Sequence, residues 1–253
     1  MNYIKYILVF SIAATMSCVA FAQREKVPSY FGVQVRPVFP TDFGGARSLT
    51  LSDSNFTSTI SQTLGYSFGV TIRAGITKLI AFETGLNFTQ RNFNLSMSLS
   101  DTNVSAKDTW SLVNYDIPLN ALVYVQLSQK IYMNTSLGGV VTYSPTDIIK
   151  KTETGGKHSF ENYGAVNKVG FNFNANVGFE YRTEKKGFFY IGGSMRVPLT
   201  PSFTWLSAHM IQQHTDYTVV NGKMKAGYVS IDLKYFFPNI KQKGVQPKKG
   251  PIE

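Results

Sequence analysis

The chain has one cysteine, Cys18, among its 253 residues. Because Cys18 lies within the first 22 residues, the remainder has no thiol for a disulfide, a cysteine metal site or a cysteine nucleophile. Long apolar runs are also missing beyond the N-terminus, and a membrane-spanning helix needs about 20 apolar residues in succession. These absences exclude a disulfide-stapled fold and a helical membrane protein.

Helical periodicity and a concentrated basic surface are missing as well. Beyond residue 29, β-branched and aromatic residues alternate with Gly, Asn, Ser and Thr, and no segment has a convincing period of 3.6. The formal charge is +10, but the basic residues are scattered and form no RNA-binding motif. The sequence therefore predicts an all-β protein with no nucleic-acid partner, whose surplus cations face anionic lipid head groups.

The N-terminal segment has the pattern of a secretory signal peptide. Lys5 precedes an apolar stretch at residues 6–14, and small residues lead to a cleavage site after Ala22. A lipoprotein acylated at Cys18 is an alternative, although Thr15 stands where such signals usually carry Leu. We therefore expect export from the cytoplasm.

Eight runs of strand-forming residues follow. They cover residues 30–39, 64–76, 81–95, 110–127, 131–143, 168–181, 188–199 and 226–237. Each is about as long as the roughly 9–11 residues that a tilted strand needs to cross a bilayer, and most exceed the usual strand length of soluble sheets. In the run 168–181, every second residue from Val169 to Tyr181 is apolar and the residues between are mostly small or polar. One face of each strand is therefore expected to contact lipid.

The connections between the runs alternate in length. Residues 77–80, 128–130 and 182–187 form short connections, whereas residues 40–63, 96–109, 144–167 and 200–225 form long ones. Short periplasmic turns and longer external loops on an even strand number are typical of outer-membrane barrels. We predict an eight-stranded antiparallel up-and-down transmembrane β-barrel in the cell outer membrane, with both termini in the periplasm.

The predicted organisation has four parts. Residues 1–22 are the signal peptide, 23–29 an N-terminal periplasmic segment, 30–238 the barrel, and 239–253 a basic periplasmic tail. The tail combines lysines with Pro and Gly, which is typical of a disordered extension. It is too short to be a peptidoglycan-binding domain.

Two soluble folds also fit a period of two: a β-sandwich and an exported lipocalin-like binding barrel. The polar face carries charges of both signs, which are costly in an apolar ligand pocket but can pair across the lumen of a membrane barrel. This favours the membrane barrel. The predicted interior polar network consists of Arg36, Arg73, Glu83, Arg91, Asp116, Glu180, Arg182, Arg196, Asp232 and Lys234.

Aromatic residues gather towards the strand ends, where membrane barrels carry two interfacial girdles. The enrichment of aromatics in strands generally would explain their number but not this placement. The predicted interfacial aromatics are Tyr30, Phe31, Trp110, Tyr143, Phe179, Tyr181, Phe188, Tyr235 and Phe237.

Three segments resemble the small outer-membrane β-barrel proteins of Bacteroidota that are grouped as PorT-like. They are the Gly-rich segment 69–75, the segment 83–91 that begins Glu-Thr-Gly-Leu-Asn-Phe, and the segment 115–119, Tyr-Asp-Ile-Pro-Leu. The resemblance covers the barrel and implies the same fold. It also implies an association with type IX secretion, but these segments are patterns of strand architecture and carry no chemistry.

These observations predict a non-enzymatic outer-membrane protein without cofactor, which acts as a structural or partner-binding component of the envelope, in contact with lipid and with other envelope or secretion proteins. One alternative is an enzyme with a rim site in the external loops, where His209, His214 and Asp216 are candidates for catalysis or metal binding. Another is conduction of ions or protons through the charged interior. Side chains fill the lumen of an eight-stranded barrel, which favours structural packing over conduction.

Overall fold

The computed structural model describes residues 29–77, 79–102, 104–154, 157–183, 186–211 and 217–238. The predicted signal peptide, the tail and all but the last residue of the segment 23–29 lie outside these ranges. Within them, no helix is long and apolar enough to span a membrane. The described strands are β1 (Tyr30–Pro40), β2 (Ser48–Asp53), β3 (Phe56–Gln62), β4 (Gly65–Gly75), β5 (Ile80–Leu99), β6 (Ser105–Gln126), β7 (Ile131–Tyr143), β8 (Ile148–Thr154), β9 (His158–Val166), β10 (Val169–Arg182), β11 (Phe188–Pro198), β12 (Phe203–Ile211), β13 (Tyr217–Met224) and β14 (Tyr228–Phe236).

Eight of these strands close into a ring. Its order is β1, β4, β5, β6, β7, β10, β11 and β14, and β14 pairs with β1. Every neighbouring pair is antiparallel. The predicted eight-stranded barrel is confirmed, and the predicted run 131–143 coincides with β7. Short connections link β4 to β5, β6 to β7 and β10 to β11 at the end of the barrel where β1 begins and β14 ends, and we name it the turn end.

Alternation along each strand places apolar residues outside the barrel and polar residues inside. On β10, Phe171, Phe173 and Val177 are exposed, whereas Asn176 and Glu180 are buried. The same pattern on the other barrel strands produces an outward apolar band around a polar lumen. A lipid-facing exterior and a polar interior are the defining features of transmembrane β-barrels.

The long connections, which were predicted to be external loops, contain strands. Three of them contain hairpins, β2–β3, β8–β9 and β12–β13, and the fourth extends β5 and β6 as a long hairpin. Strands β8, β9, β12 and β13 form one sheet, while β2 and β3 continue the sheet from β5. Strand β8 also lies against β6, and β13 lies against β2. We name this structure the cap, which comprises these six strands with residues 92–99 and 105–112.

The cap encloses an apolar core at the end of the barrel opposite the turns. Its aromatic centre is a stack in which Trp110 lies 4.2 Å from Phe93 and 5.1 Å from Trp205, measured between ring centroids, with Phe203 packed edge-on against Trp110. Aliphatic residues including Ile60 pack around this stack. The buried hydrophobic members of the core are Phe56, Ile60, Phe93, Leu95, Met97, Leu99, Ala106, Trp110, Leu112, Ile148, Phe160, Val166, Phe203, Trp205, Val220, Met224 and Ala226.

Strand β5 shows how barrel and cap join. Its inward residues from Glu83 to Arg91 are polar, apart from Gly85, and those from Phe93 onward are apolar, while its outward residues are mainly apolar up to Phe88 and polar from Gln90 onward. The backbone alternation continues without a break, so only the residue types change. The boundary between the two regions lies at residues 89–93 of β5.

Candidate functional site

The predicted polar network lies in the lumen. Nine of its ten members are buried, and Arg182, the exception, is partly exposed at the turn end. The strands position these side chains because all ten occupy inward positions of the period-two alternation. Their placement shows which charges meet, whereas their functional role stays a prediction.

The turn-end cluster is centred on Arg73. This guanidinium donates to Glu83 at 3.0 and 2.6 Å and also donates to Glu180. Glu83 forms a second ion pair, with Lys234 at 2.5 Å. Glu180 accepts two hydrogen bonds from Arg182, at 3.1 and 2.9 Å. Three cations and two carboxylates thus share one connected network.

Aromatic side chains close the lumen beneath this cluster. Phe188 and Phe236 stack with centroids 4.4 Å apart, and Tyr30 packs edge-on against Phe188 at 4.8 Å. The Arg73 guanidinium lies 4.2 Å from the Phe236 ring centroid, and that of Arg182 lies 4.0 Å from Tyr132. Cation–π contacts therefore join the aromatic layer to the charged one.

A second cluster surrounds Asp232 in the middle of the lumen. Its carboxylate forms an ion pair with Arg36 at 3.5 Å and accepts hydrogen bonds from Asn176 at 3.0 Å and from Ser194. The Tyr190 hydroxyl donates to Asn176 at 2.6 Å. The Tyr190 ring lies over Gly178 and Gly192, where any larger residue would overlap it.

A third cluster lies beside the cap. Asp116 accepts from Arg196 at 2.5 Å, from Thr142 at 2.6 Å and from Thr89 at 2.8 Å. Arg91 donates to the Ala226 carbonyl at 2.7 Å and to Asn114 at 3.3 Å. Among the ten charges of the network, Arg91 is the only one that has no ion pair with any described residue.

These contacts join opposite walls of the barrel. Strands β4 and β10 stand four places apart in the ring of eight, yet Arg73 of β4 reaches Glu180 of β10. Near the cap, Arg196 of β11 reaches Asp116 of β6, three places away. Side chains thus meet across the lumen at both levels, which leaves no room there for a wide aqueous channel.

The structure corrects three of the nine interfacial aromatics. Trp110 is 5% exposed and lies in the cap core, and Tyr30 and Phe188 point into the lumen at the turn end. Each shares its parity along the strand with inward polar residues, so its strand end is near the interface but its side chain faces inward. On the outer face lie Phe31, Tyr143, Phe179, Tyr181, Tyr235 and Phe237.

Several residues of the lumen were missed by the sequence analysis because they are uncharged. Gln34 donates to Asn87 and accepts from Arg36, and Asn134 donates to Glu180 at 2.5 Å. Parity would have found them, since Asn87 lies between Glu83 and Arg91 on the inward face of β5. These amides satisfy hydrogen bonds that the charged groups leave open.

Of the three candidates for a rim site, the structure describes only His209. His209 is 7% exposed and contacts Phe56 and Phe160 at the edge of the cap core. Its Nε2 lies 3.0 Å from Nδ1 of His158, and burial lowers the pKa of His209, as does the electrostatic effect of His158. His214 and Asp216 lie outside the described residues. No group of three metal-ligating side chains occurs in the part of the chain that the structure describes.

The outer face of the cap carries an exposed apolar row. Ile149 of β8, Tyr163 of β9 and Leu206 of β12 are neighbours across the strands, at 77%, 41% and 39% exposure. Lys151 and Glu161 flank the row and form an ion pair at 3.5 Å. We name these three side chains the apolar row.

Comparison with known proteins supports the fold. No family model and no curated protein sequence matches the chain. Among solved structures, the outer membrane protein OprG from Pseudomonas aeruginosa matches with a TM-score of 0.51 and 11% identity, covering 86% of this chain and 99% of its own. The outer membrane protease OmpT from Escherichia coli matches at 0.44 and 7%, covering 86% and 100%. The transport unit of the Escherichia coli autotransporter AIDA-I matches at 0.32 and 10%, covering 86% and 91%.

The prediction of a non-enzymatic protein was wrong as a conclusion from the barrel pattern. A protease stands among the solved outer-membrane barrels that match this chain, so the architecture does not exclude enzymatic activity. At 7% identity the match assigns no activity to this chain. The shared feature is the outer-membrane β-barrel fold.

Proposed function

We propose that this protein is an outer-membrane anchor that displays a folded cap at the cell surface and uses it to bind another envelope protein. The apolar row carries the proposal. Its three side chains are exposed on the face of a sheet whose opposite face is buried in the cap core. Apolar clusters exposed on an otherwise polar surface mark interaction sites.

The height of the apolar row supports a protein partner over lipid. Tyr163 precedes Val169, at the upper edge of the barrel, by six residues. At about 3.3 Å per residue and a tilt of roughly 40°, the row stands on the order of 15 Å above that edge. This distance places it beyond the apolar region of the bilayer.

The orientation follows from the two ends of the barrel. Short turns face the periplasm in outer-membrane barrels, and longer connections face outward. The cap is therefore at the cell surface, and the termini and the basic tail are periplasmic after removal of residues 1–22. The resemblance to PorT-like proteins favours an accessory role in an envelope or secretion complex.

Site-specific photocrosslinking in cells tests the proposal. A crosslinking amino acid at Tyr163 or Leu206 should capture one and the same envelope protein, whereas a crosslinker at Ser98, exposed on β5 of the cap, should not. Tyr163→Glu should abolish capture from position 206 without changing the amount of protein in the outer membrane. Equal capture at Ser98, or none at either row position, would contradict the proposal.

The filled lumen adds a second test. Side chains that meet across the barrel at two levels do not support porin-like conduction. The purified protein should give no stable open steps in planar bilayers. Steady conductance would show that the barrel serves transport, and the cap would then be a gate.

A further inference from the structure

The pocket at the junction between barrel and cap has an uncompensated positive charge. Most of its lining residues are polar, including both Arg91 and Arg196, and its volume is about 20 Å³. One water molecule needs roughly 10–15 Å³ measured in this way. The enclosed part therefore holds one or two small atoms, and the pocket is partly open.

The charges around the pocket do not cancel. Arg196 is paired with Asp116, and both oxygens of Asp116 already accept hydrogen bonds, from Thr142 and from Thr89 together with Arg196. Arg91 is 5% exposed and has no carboxylate partner among the described residues. A buried guanidinium without a counter-charge of its own is costly, and the one carboxylate that lines the pocket, Asp116, is already paired with Arg196.

Hydrogen-bond donors remain available around this charge. A guanidinium has five N–H groups, and Arg91 uses its Nε and Nη1 on Asn114 and the Ala226 carbonyl. The Nε of Arg196 has no partner in the described structure. Both guanidinium carbons lie near the Tyr228 ring, at 6.0 Å for Arg91 and 5.3 Å for Arg196 from its centroid. Both guanidinium groups thus line one pocket, and donors of Arg91 remain free there.

We propose that the junction pocket binds one anionic oxygen of a phosphate or carboxylate group, held by the free donors of Arg91 with the charge of Arg196 on the same pocket wall. The pocket lies where the outward face of β5 changes from Phe88 to Gln90 and Asn92, which is the level of lipid head groups. Its border includes Asn167 and Ser202, in the connections that join cap and barrel. The phosphate or carboxylate group is therefore supplied either by a lipid head group or by a free anion at the cell surface.

Titration with inorganic phosphate and with acetate tests the site. The full-length protein is purified in a phosphate-free maltoside detergent, and its unfolding temperature is followed at constant ionic strength. The wild type should show a saturable rise. Arg91→Gln keeps a polar side chain but removes the charge, and should weaken the apparent affinity at least about tenfold, whereas Arg91→Lys should retain part of it. Arg182→Gln, the same change at the other end of the lumen, should leave the affinity unchanged.

Native mass spectrometry separates the two sources. A phosphate-bearing lipid retained by the wild type and lost from Arg91→Gln would identify a head group, and saturable titration without retained lipid would identify a free anion. If Arg91→Gln does not fold, wild-type crystals soaked in selenate should show an anomalous peak beside Arg91. The proposal is overturned if the wild type neither responds nor retains lipid, if Arg91→Gln responds equally, or if the selenate peak is absent from protein that retains no lipid.

Discussion

The barrel and the cap arrange polar and apolar side chains in opposite ways, although β5 and β6 run through both. On β6, the inward residues change from Asn114 and Asp116 in the barrel to Leu112 and Trp110 in the cap. The outward residues change in the reverse sense, from Tyr115 to Ser111. The strands keep one geometry while each region places its apolar residues away from water.

The two regions are stabilised by different forces. In the cap, apolar side chains leave water, at about 25 cal/mol per Å² of buried apolar surface. In the barrel, the apolar face contacts lipid, so burial from water cannot hold the walls together. Ion pairs and hydrogen bonds between strands, such as those of Arg73, take that role. Substitutions of one chemical kind should therefore have different effects in the two regions.

The largest effect is expected from Trp205→Ala in the cap core. Removing the indole leaves a cavity and should cost about 3–5 kcal/mol, which opens the cap while the barrel stays closed. Limited proteolysis in detergent should cut within the cap, and the unheated protein should keep its fast gel mobility. Leu206→Ala, at the next and outward-facing position, is the matched control. Loss of the fast band together with the cap would show that both regions unfold as one unit.

A smaller effect, confined to the barrel, is expected from Arg73→Leu. The substitution breaks two buried ion pairs but leaves Glu180 with Arg182 and Glu83 with Lys234, so it should cost less than the roughly 3–5 kcal/mol of a buried charge left without any partner. The temperature at which the protein converts to its heat-denatured gel band should fall. Arg47→Leu, at an exposed arginine, should not change it. An unchanged conversion temperature for Arg73→Leu would mean that the network contributes little to the barrel.

The barrel could be predicted from sequence because its pattern repeats. Alternation, the number of runs and the unequal connections define eight strands, and charges on the polar face locate the lumen. The same parity also places Trp110 inward, since it lies an even number of residues from Asp116. The prediction that Trp110 faces lipid used only its position near a strand end.

The cap could not be recognised by the same argument. Its outward Ser and Thr residues have the composition of solvated loops, and the strands β2 and β8 are only six and seven residues long. The signal that was present is alternation in the opposite sense, as on β5, where Phe93, Leu95 and Met97 face inward. The junction pocket depends on contacts between distant strands, which no local pattern contains.

Paired substitutions on one strand directly test the opposite placement of polar and apolar side chains in the barrel and the cap. Leu86 and Asn94 both face outward from β5, eight residues apart, one on the barrel and one on the cap. Leu86→Arg should reduce assembly in the outer membrane, because arginine at the lipid face costs about 2–4 kcal/mol near the midplane. Asn94→Arg should change stability by no more than about 0.5 kcal/mol. The measurement is the heat-modifiable fraction in outer-membrane extracts, and equal effects would contradict the assigned membrane level.

The smallest effect concerns the pH dependence of the cap. Burial, with the nearby His158, lowers the pKa of His209 below its ordinary value of about 6.5, so the folded cap binds fewer protons at this residue than the unfolded chain. The contribution of His209 to the stability of the cap is therefore complete above about pH 6.5, and it is lost as the pH falls through the pKa of His209 in the folded state. Proteolysis of the cap should be faster near pH 5.5 than near pH 7.5.

His209→Phe isolates the cause of this pH dependence. The phenyl ring keeps the contacts with Phe56 and Phe160 but does not titrate. The difference in proteolysis between the two pH values should then shrink for the cap, while the conversion temperature of the barrel keeps its own pH profile. An unchanged difference in the variant would assign the pH dependence to other groups, and a parallel change in both regions would mean that protons act on the barrel first.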